Sequence, residues 1–199
     1  MPAPYENLPV SRETGERLAR YAELLQKWNP RINLVSPRDM EKLWERHILD
    51  SLQLLPLLKG HERFTDMGSG GGFPGVVLGI AAGIPGVLIE SDQRKAAFLR
   101  EAARVGGAQL DVVASRLEQA QVPAAPVVTA RALAPLGRLL EWAFPLLEAG
   151  GRCLFLKGQQ AAQEIREAEQ DWRMDIRTYP SQTASDGVIL EVSNFNRVR

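Results

Sequence analysis

The chain has 199 residues, of which 45% are hydrophobic and 24% are charged, so it can bury one good core and fits one domain with a small extension. Its 24 basic and 24 acidic residues balance, which argues against a general polyanion binder and confines any nucleic-acid contact to a local patch. The chain has a single cysteine, Cys153, which excludes a disulfide framework. Because it has only two histidines in addition, we expect no metal site.

Residues 1–60 are expected to form an N-terminal helical extension. Apolar residues at helical spacing predict an amphipathic helix over 11–28, with Ser11 as its N-cap. Asn29-Pro30 is expected to end this helix, because proline disrupts a helix interior. A second helix is predicted over 38–57, and Lys59-Gly60 closes the extension.

Two residues inside the second predicted helix could act together in a reaction. His47 and Asp50 are three residues apart and share a helix face, so the carboxylate could orient the imidazole. A surface ion pair or a packed histidine is the more common reason for such spacing. The spacing therefore leaves the role of the pair open.

Residues 61–199 are expected to form a second domain, because strands alternate there with helices. The predicted strands are 62–67, 86–90, 110–114, 127–130, 152–156, 174–179 and 188–195. The predicted helices are 74–82, 93–105, 134–148 and 159–171. This alternation indicates an α/β fold with a mostly parallel, doubly wound sheet, in which ligands bind outside the carboxyl ends of the strands.

The first strand runs into a glycine-rich loop, Asp66-Met67-Gly68-Ser69-Gly70-Gly71-Gly72-Phe73-Pro74-Gly75. Its last glycines satisfy G-x-G-x-x-G, and Glu90 follows at the distance expected of a ribose-binding acid, so a nucleotide-like ligand is indicated. Asp66 before the loop creates acid-x-Gly-x-Gly-x-Gly, the pattern typical of S-adenosylmethionine (SAM) methyltransferases. About sixty residues precede the loop, whereas a dehydrogenase usually starts with it. Both features favour SAM over NAD.

Two rival interpretations stay open at this point. One is an NAD-dependent oxidoreductase, and the other is a regulatory protein that binds a nucleotide or SAM without catalysis. Methylation at cytosine carbon 5 would need a thiolate, but Cys153 lies inside an apolar strand. Amino-group methylation usually uses an Asn/Asp-Pro-Pro-aromatic run, and this position holds Thr129-Ala130-Arg131-Ala132 instead.

Over roughly residues 20–160 the chain resembles the RsmG family (formerly GidB), the 16S rRNA guanine-N7 methyltransferases. The resemblance rests on the glycine-rich loop with its Phe-Pro-Gly ending and on these further elements: Trp28-Asn29, Asn33-Leu34, Arg46-His47-x-x-Asp50-Ser51, Ser115-Arg116-x-Glu118, Arg131-Ala132 and Lys157-Gly158. It implies a class I, Rossmann-like methyltransferase fold with a seven-stranded sheet, and SAM as the methyl donor. The implied acceptor is a guanine in the decoding-region loop of small-subunit rRNA.

The resemblance also implies site residues. By that likeness the SAM site would be lined by Gly68, Phe73, Leu117, Glu118 and Arg131. We add three residues to the predicted SAM site because of their chemistry. Gly70 and Gly72 let the backbone approach the ligand, and Glu90 can accept hydrogen bonds from the ribose hydroxyls.

Three acidic and basic residues have alternative roles. Asp92 is a nearby substitute for Glu90, and Asp66 is expected to hold the methionine ammonium through water or the loop backbone. Arg131 is the candidate catalytic residue, acting on the SAM carboxylate or on the target base.

Guanine N7 carries an in-plane lone pair and no proton, so this chemistry needs positioning and no general base. The expected partner is 16S rRNA or an assembling small subunit, contacted at phosphates by members of the set Arg12, Arg17, Arg31, Arg38, Arg94, Lys95 and Lys157. We expect a monomer. No apolar run reaches the length of a membrane span and no secretory leader opens the chain, so we expect no membrane contact and a cytoplasmic location.

Overall fold

The computed structural model of the chain describes Tyr5, Glu6 and residues 8–198. A seven-stranded sheet forms its centre, in the order β3-β2-β1-β4-β5-β7-β6. The strands are β1 (Phe64–Met67), β2 (Gly86–Glu90), β3 (Leu110–Ala114), β4 (Ala125–Arg131), β5 (Leu147–Lys157), β6 (Trp172–Pro180) and β7 (Val188–Arg197). The first five strands pair in parallel and β7 is antiparallel to both neighbours. The predicted mostly parallel sheet is confirmed.

The order of the strands reverses between β1 and β4, which lie side by side at the centre of the sheet. Loops that leave the carboxyl ends of these two strands diverge to opposite sides, and this opens a crevice above them. The glycine-rich loop follows β1, and Arg131 ends β4. The topology therefore brings the two main sequence motifs to one place.

The first helix, α1 (Arg12–Ile32), begins as predicted, with the Ser11 hydroxyl accepting a hydrogen bond from the backbone N–H of Thr14. The predicted end at Asn29-Pro30 is wrong, because Pro30 lies inside the last turn. The side chain of Asn29 instead stabilises the turn that follows the helix. Its Oδ1 accepts from the N–H groups of Leu34 and Val35, and the chain turns away from the helix beyond Ile32.

The single helix predicted over 38–57 is also wrong. The chain forms α2 (Pro37–Glu41), a π-helical turn over Trp44–Leu49, α3 (Asp50–Leu52) and α4 (Leu55–Leu58). A π turn adds a residue to the helical repeat and so redirects the side chains that it carries. Here His47 and Ile48 are buried.

The remaining helices lie on the two faces of the sheet and are α5 (Gly75–Ala82), α6 (Gln93–Gly106), α7 (Leu136–Ala143) and α8 (Ala161–Ala168). The helix predicted over 134–148 is shorter than expected. Pro135 precedes it, and the last residues form a 3-10 turn over Phe144–Leu146 that contains Pro145, which has no N–H to donate.

Helix α1 packs against the sheet domain through α5 and α6. Leu18, Tyr21 and Leu25 are fully buried in a cluster that also contains apolar residues of β1 and α5. Arg17 donates to the carbonyls of Gly106 and Gly107 at 2.7 and 2.6 Å, so it satisfies the C-terminal end of α6. The extension and the sheet therefore share one core, and the division at residue 60 stays a prediction.

No helix in the described part of the chain is long and apolar enough to cross a membrane. Among the same residues, no group of three or more His, Cys, Asp or Glu side chains is arranged to hold a metal ion. Cys153 lies fully buried in β5, where burial raises the pKa of its thiol well above the usual value. A thiol in this state is a poor nucleophile.

Tyr21→Phe tests the contact between α1 and the glycine-rich loop. The Tyr21 hydroxyl donates to the carbonyl of Gly71 at 2.5 Å in a buried position. Removing it leaves a buried carbonyl without this donor, so we expect the free energy of unfolding in urea to fall by about 1–3 kcal/mol. Tyr179→Phe is the matched control, because the Tyr179 hydroxyl donates to Glu191 at a partly exposed place where water can replace it. Equal losses in both variants would contradict the role given to Tyr21.

Candidate functional site

The glycine-rich loop turns from β1 into α5 with left-handed backbone angles. Gly70 has φ 53° and Gly72 has φ 96°, a region that favours glycine. A Cβ added at Gly70 would approach nothing closer than the carbonyl oxygen of Gly68 at 3.8 Å, whereas one added at Gly72 would collide with Val76 and Tyr21. Gly70 therefore faces open space, and Gly72 allows the loop to pack closely against α1 and α5.

A cavity of about 560 Å³ lies above the carboxyl ends of the central strands. It brings together seven of the residues predicted for the SAM site: Gly68, Gly70, Phe73, Glu90, Leu117, Glu118 and Arg131. Gly72 does not line it and acts through the shape of the loop. The sequence did not indicate several further lining residues, namely Leu34, Val35, Ser36, Asp39 and Trp142.

Glu90 ends β2 and lines the cavity, with 8% of its surface exposed. Its two carboxylate oxygens accept hydrogen bonds from the N–H groups of Gly70 and Asp92, each at 2.8 Å. A carboxylate can accept about four hydrogen bonds, so Glu90 keeps capacity for ligand hydroxyls. Asp92 instead caps α6 by accepting from the N–H groups of Arg94 and Lys95, and it does not line the cavity.

Asp66 lies beneath the glycine-rich loop and not in the cavity. It is fully buried, and its Oδ1 accepts from the Thr129 hydroxyl at 2.7 Å. Burial raises the pKa of Asp66 to about 6, partly opposed by the hydrogen bond from Thr129. A direct contact with a ligand is therefore not available to this carboxyl.

Glu118 lies in a 3-10 turn, Leu117–Gln119, that follows β3. Its Oε1 accepts from the indole N–H of Trp142 at 3.0 Å and from Arg138 at 3.3 Å. Trp142 belongs to α7, where its spacing reads as part of an ordinary amphipathic helix. No local signal in the sequence marks it as a cavity residue, because its partner lies 24 residues away.

Arg131 ends β4, and its side chain is only 16% exposed. It donates to Asp50 Oδ2 at 3.0 Å and to the carbonyl of Arg46 at 2.9 Å, and a second nitrogen contacts His47 Nδ1. The guanidinium carbon lies 5.3 Å from the centre of the Phe73 ring. Direct pairing of His47 with Asp50, one of the possibilities that the spacing left open, is not formed between these two described side chains, and Arg131 contacts both of them instead.

The protonation state of His47 follows from this arrangement. A guanidinium can only donate, so His47 Nδ1 accepts, and a neutral ring carries its proton on Nε2. Burial, followed by the positive charge of Arg131, lowers the pKa of His47 to about 4. The imidazole is therefore neutral at neutral pH.

A second cavity, of about 820 Å³, adjoins the first. The two share Asp39, His47, Arg131, Ala132 and Leu133. The second is also lined by Lys157 of β5 and by the turn between β6 and β7, represented by Ser181, Thr183, Ala184, Asp186 and Gly187. Two adjoining cavities suit an enzyme that holds two ligands and transfers a group between them.

Four of the basic residues expected at RNA phosphates already have protein partners. Arg12 pairs with Glu16 at 3.0 Å and Arg94 with Asp92 at 3.3 Å. Lys157 donates to the carbonyl of Ala134 at 2.8 Å and forms an ion pair with Glu164 at 2.5 Å. Arg17 caps α6. Lys95, in contrast, lines the first cavity.

Comparison with known proteins identifies the family. Residues 14–186 match the GidB family model, described as rRNA small subunit methyltransferase G. The chain belongs to the GidB family. Two relatives named ribosomal RNA small subunit methyltransferase G are similar over nearly their whole length. The one from Gluconobacter oxydans is 60% identical over 95% of this chain and 98% of its own, and the one from Paramagnetospirillum magneticum is 53% identical over 96% and 93%.

The fold also has solved counterparts. An O-methyltransferase from Bacillus cereus, crystallised in complex with SAH, superposes with a TM-score of 0.56 at 17% identity, over 95% of this chain and 94% of its own. At 17% identity this similarity is evidence for the fold alone. It confirms the class I methyltransferase architecture that the resemblance to the RsmG (GidB) family implied.

The buried carboxyl of Asp66 leads to a prediction about pH. Because its pKa is raised from 3.8 to about 6 in the folded chain, its contribution to stability is full below pH 4 and is lost as the pH rises through 6. The free energy of unfolding relative to that of Asp66→Asn should therefore fall by about 2–3 kcal/mol between pH 4 and 7. Urea unfolding of both chains across this range measures the difference. A difference that does not change with pH would show that Asp66 titrates normally.

Proposed function

We propose that this GidB-family chain transfers a methyl group from SAM to N7 of a guanine in the decoding-region loop of 16S rRNA. Family membership makes it an rRNA methyltransferase. The 16S and N7 assignment follows the resemblance to the RsmG (GidB) family. The observation that supports transfer between two bound ligands is the junction of two cavities at Arg131, above the carboxyl ends of β1 and β4. One cavity has the size of a small-molecule site, and the other opens beside it for the acceptor.

The residues of the first cavity fit SAM. The open space at Gly70 lets a ligand approach the backbone, and Phe73 and Leu117 offer apolar surface. Glu90 is assigned to the ribose hydroxyls and Glu118 to the adenine edge. Arg131 is assigned to the methionine carboxylate, for which a guanidinium is a suitable partner. Gly68 and Gly72 shape the loop.

When bound, SAM supplies a methyl group that is already activated on a sulfonium. The acceptor N7 has no proton to lose, so the protein needs only to align the two ligands. Its own charges support this task. His47 is neutral and the charge of Arg131 is balanced by Asp50, so the junction does not present an unopposed positive charge to a purine that becomes cationic.

The rival interpretations have less support. An NAD-dependent oxidoreductase does not fit a chain that belongs to a methyltransferase family. A regulatory module without catalysis would have no need for the second cavity, which shares five residues with the first.

We also propose the setting in which the chain acts. Residues 1–60 form the helical extension and 61–199 the SAM-binding domain, and the extension supplies Asp39, His47 and Asp50 to the acceptor side. The chain would act as a monomer in the cytoplasm on 16S rRNA or an assembling small subunit. This proposal is supported by the balanced charge and by the family to which the chain belongs.

The function is tested by methyl transfer to small subunits from a strain that lacks this enzyme. Purified chain and SAM should produce 7-methylguanine at one position of 16S rRNA. Gly70→Val should abolish SAM binding in calorimetry and methyl transfer with it, since its side chain would enter the open space at the loop. Gly83→Val is the matched control, because Gly83 also has a left-handed φ, of 67°, nothing lies within 4 Å of an added Cβ, and the residue is outside both cavities. Tight NAD binding without a response to SAM would overturn the assignment.

The pH profile tests the absence of a general base. A guanidinium donates hydrogen bonds and does not act as a general base, and His47 with a pKa of about 4 stays neutral above pH 6. Single-turnover methylation should therefore be nearly flat between about pH 6.5 and 9. A steep dependence with an apparent pKa near 7 would instead make His47 an acid or base in the reaction.

A further inference from the structure

His47 carries a hydrogen-bond donor that the protein itself does not use. His47 is buried, with 8% of the residue exposed, and among the described residues its Nε2 atom has no hydrogen-bond partner. A buried polar group without a partner costs free energy of folding, so its presence needs an explanation. The π-helical turn over Trp44–Leu49 is what brings this ring to its position.

The imidazole ring of His47 has two contacts that fix its orientation and a carboxylate near its third side. Nδ1 accepts from Arg131, the ring lies 4.8 Å from the centre of the Phe73 ring, and Nε2 lies 4.0 Å from Asp39 Oδ1. The last distance is too long for a hydrogen bond. His47, Arg131 and Asp39 all line both cavities, so this donor lies at the junction through which the methyl group must pass.

The acceptor edge of a purine determines what such a donor recognises. In guanine, N7 is flanked by O6, and both are acceptors. In adenine, N7 is flanked by an amino group, which is a donor and would oppose an N–H. A purine whose N7 points at the junction therefore presents its 6-substituent to the same place.

We propose that the Nε2–H of His47 donates to O6 of the acceptor base and so selects guanine over adenine. This inference rests on the proposed function and adds a residue that determines specificity in the second cavity. Arg131 is less suited to the task, because it already donates to Asp50, to Arg46 and to His47. A neutral donor also orients the base without adding positive charge beside a purine that becomes cationic.

The Asp39 side chain is the protein group that competes for this donor. Its Oδ2 accepts from the Ser36 hydroxyl at 2.7 Å, and the carboxylate is about a third exposed. The Nε2 atom is covered in the ligand-free chain, so a neighbouring side chain must move before a base reaches it, and in this proposal the Asp39 carboxylate, 4.0 Å away, turns outward. The contacts that this movement would break are made at partly exposed positions, namely the hydrogen bond from Ser36 and a 3.8 Å ion pair with Arg46, so water can replace them.

Base analogues separate O6 from the other groups of guanine. Small subunits are assembled from 16S rRNA that carries guanine, inosine or 2-aminopurine at the methylated position. Inosine keeps O6 and N7 but lacks the 2-amino group, and 2-aminopurine keeps N7 and the amino group but lacks O6. The unmodified enzyme should methylate guanine and inosine at similar kcat/KM and 2-aminopurine at least about 10-fold more slowly, since one buried hydrogen bond is lost.

Two variants then connect this discrimination to His47. His47→Leu has no donor, so the ratio of guanine to 2-aminopurine should fall to near one when both substrates are compared at saturating SAM, which keeps any change in SAM affinity out of the ratio. His47→Gln keeps both functions, because its carbonyl can accept from Arg131 and its amide N–H can donate at the position of Nε2. It should retain most of the discrimination, and it replaces the leucine variant as the test if that chain does not fold.

The outcomes are distinct. A ratio that stays above about tenfold in His47→Leu, or that collapses in a folded His47→Gln, would overturn the role of Nε2 in reading O6. A uniform loss of SAM affinity with an unchanged ratio would likewise overturn it and make His47 a structural support of the first cavity. If the unmodified enzyme methylates no guanine in any subunit, the proposed function itself fails, and the inference fails with it.

Discussion

The buried charge of Arg131 is the constraint on which the arrangement of the site depends. A guanidinium that is mostly withdrawn from water must be paired and hydrogen-bonded, since an isolated buried charge is very costly. Its partners are Asp50 and the carbonyl of Arg46, both from the N-terminal extension. Asp50 in turn accepts from the Thr183 hydroxyl at 2.6 Å, in the turn between β6 and β7. One charged side chain at the end of β4 therefore connects three distant segments at the junction of the cavities: β4 itself, the N-terminal extension and the turn between β6 and β7.

The glycine-rich loop is held from two sides in a comparable way. On the cavity side Glu90 accepts from the N–H of Gly70, and on the opposite side Tyr21 donates to the carbonyl of Gly71. A loop rich in glycine loses much conformational entropy when it folds, so these contacts are needed to keep a single shape. The N-terminal extension thus supports the first cavity through Tyr21 and also supplies lining residues of the second cavity. This explains why the extension and the sheet share one core.

The charge distribution of the site fits a reaction that depends on alignment. The ionisable groups at the junction are either paired or neutral: Arg131 pairs with Asp50, Asp39 lies 3.8 Å from Arg46, and the His47 ring is neutral. Asp66 is sealed beneath the loop. No group in this set is arranged as an acid–base pair, and guanine N7 does not require one. The neutral imidazole can then serve as a donor whose orientation is fixed by its neighbours.

The sequence by itself determined the parts of this protein that depend on local patterns. Alternating apolar runs predicted the parallel sheet, with β2 and β3 at their observed bounds, and the glycine-rich loop with Glu90 and Arg131 located the first cavity. Only the tertiary structure decided the rest. The π turn that buries His47 and the pairing of Trp142 with Glu118 depend on packing between segments far apart in the chain. Helical periodicity and residue propensity carry no information about such contacts, because they describe each segment before it meets its partners.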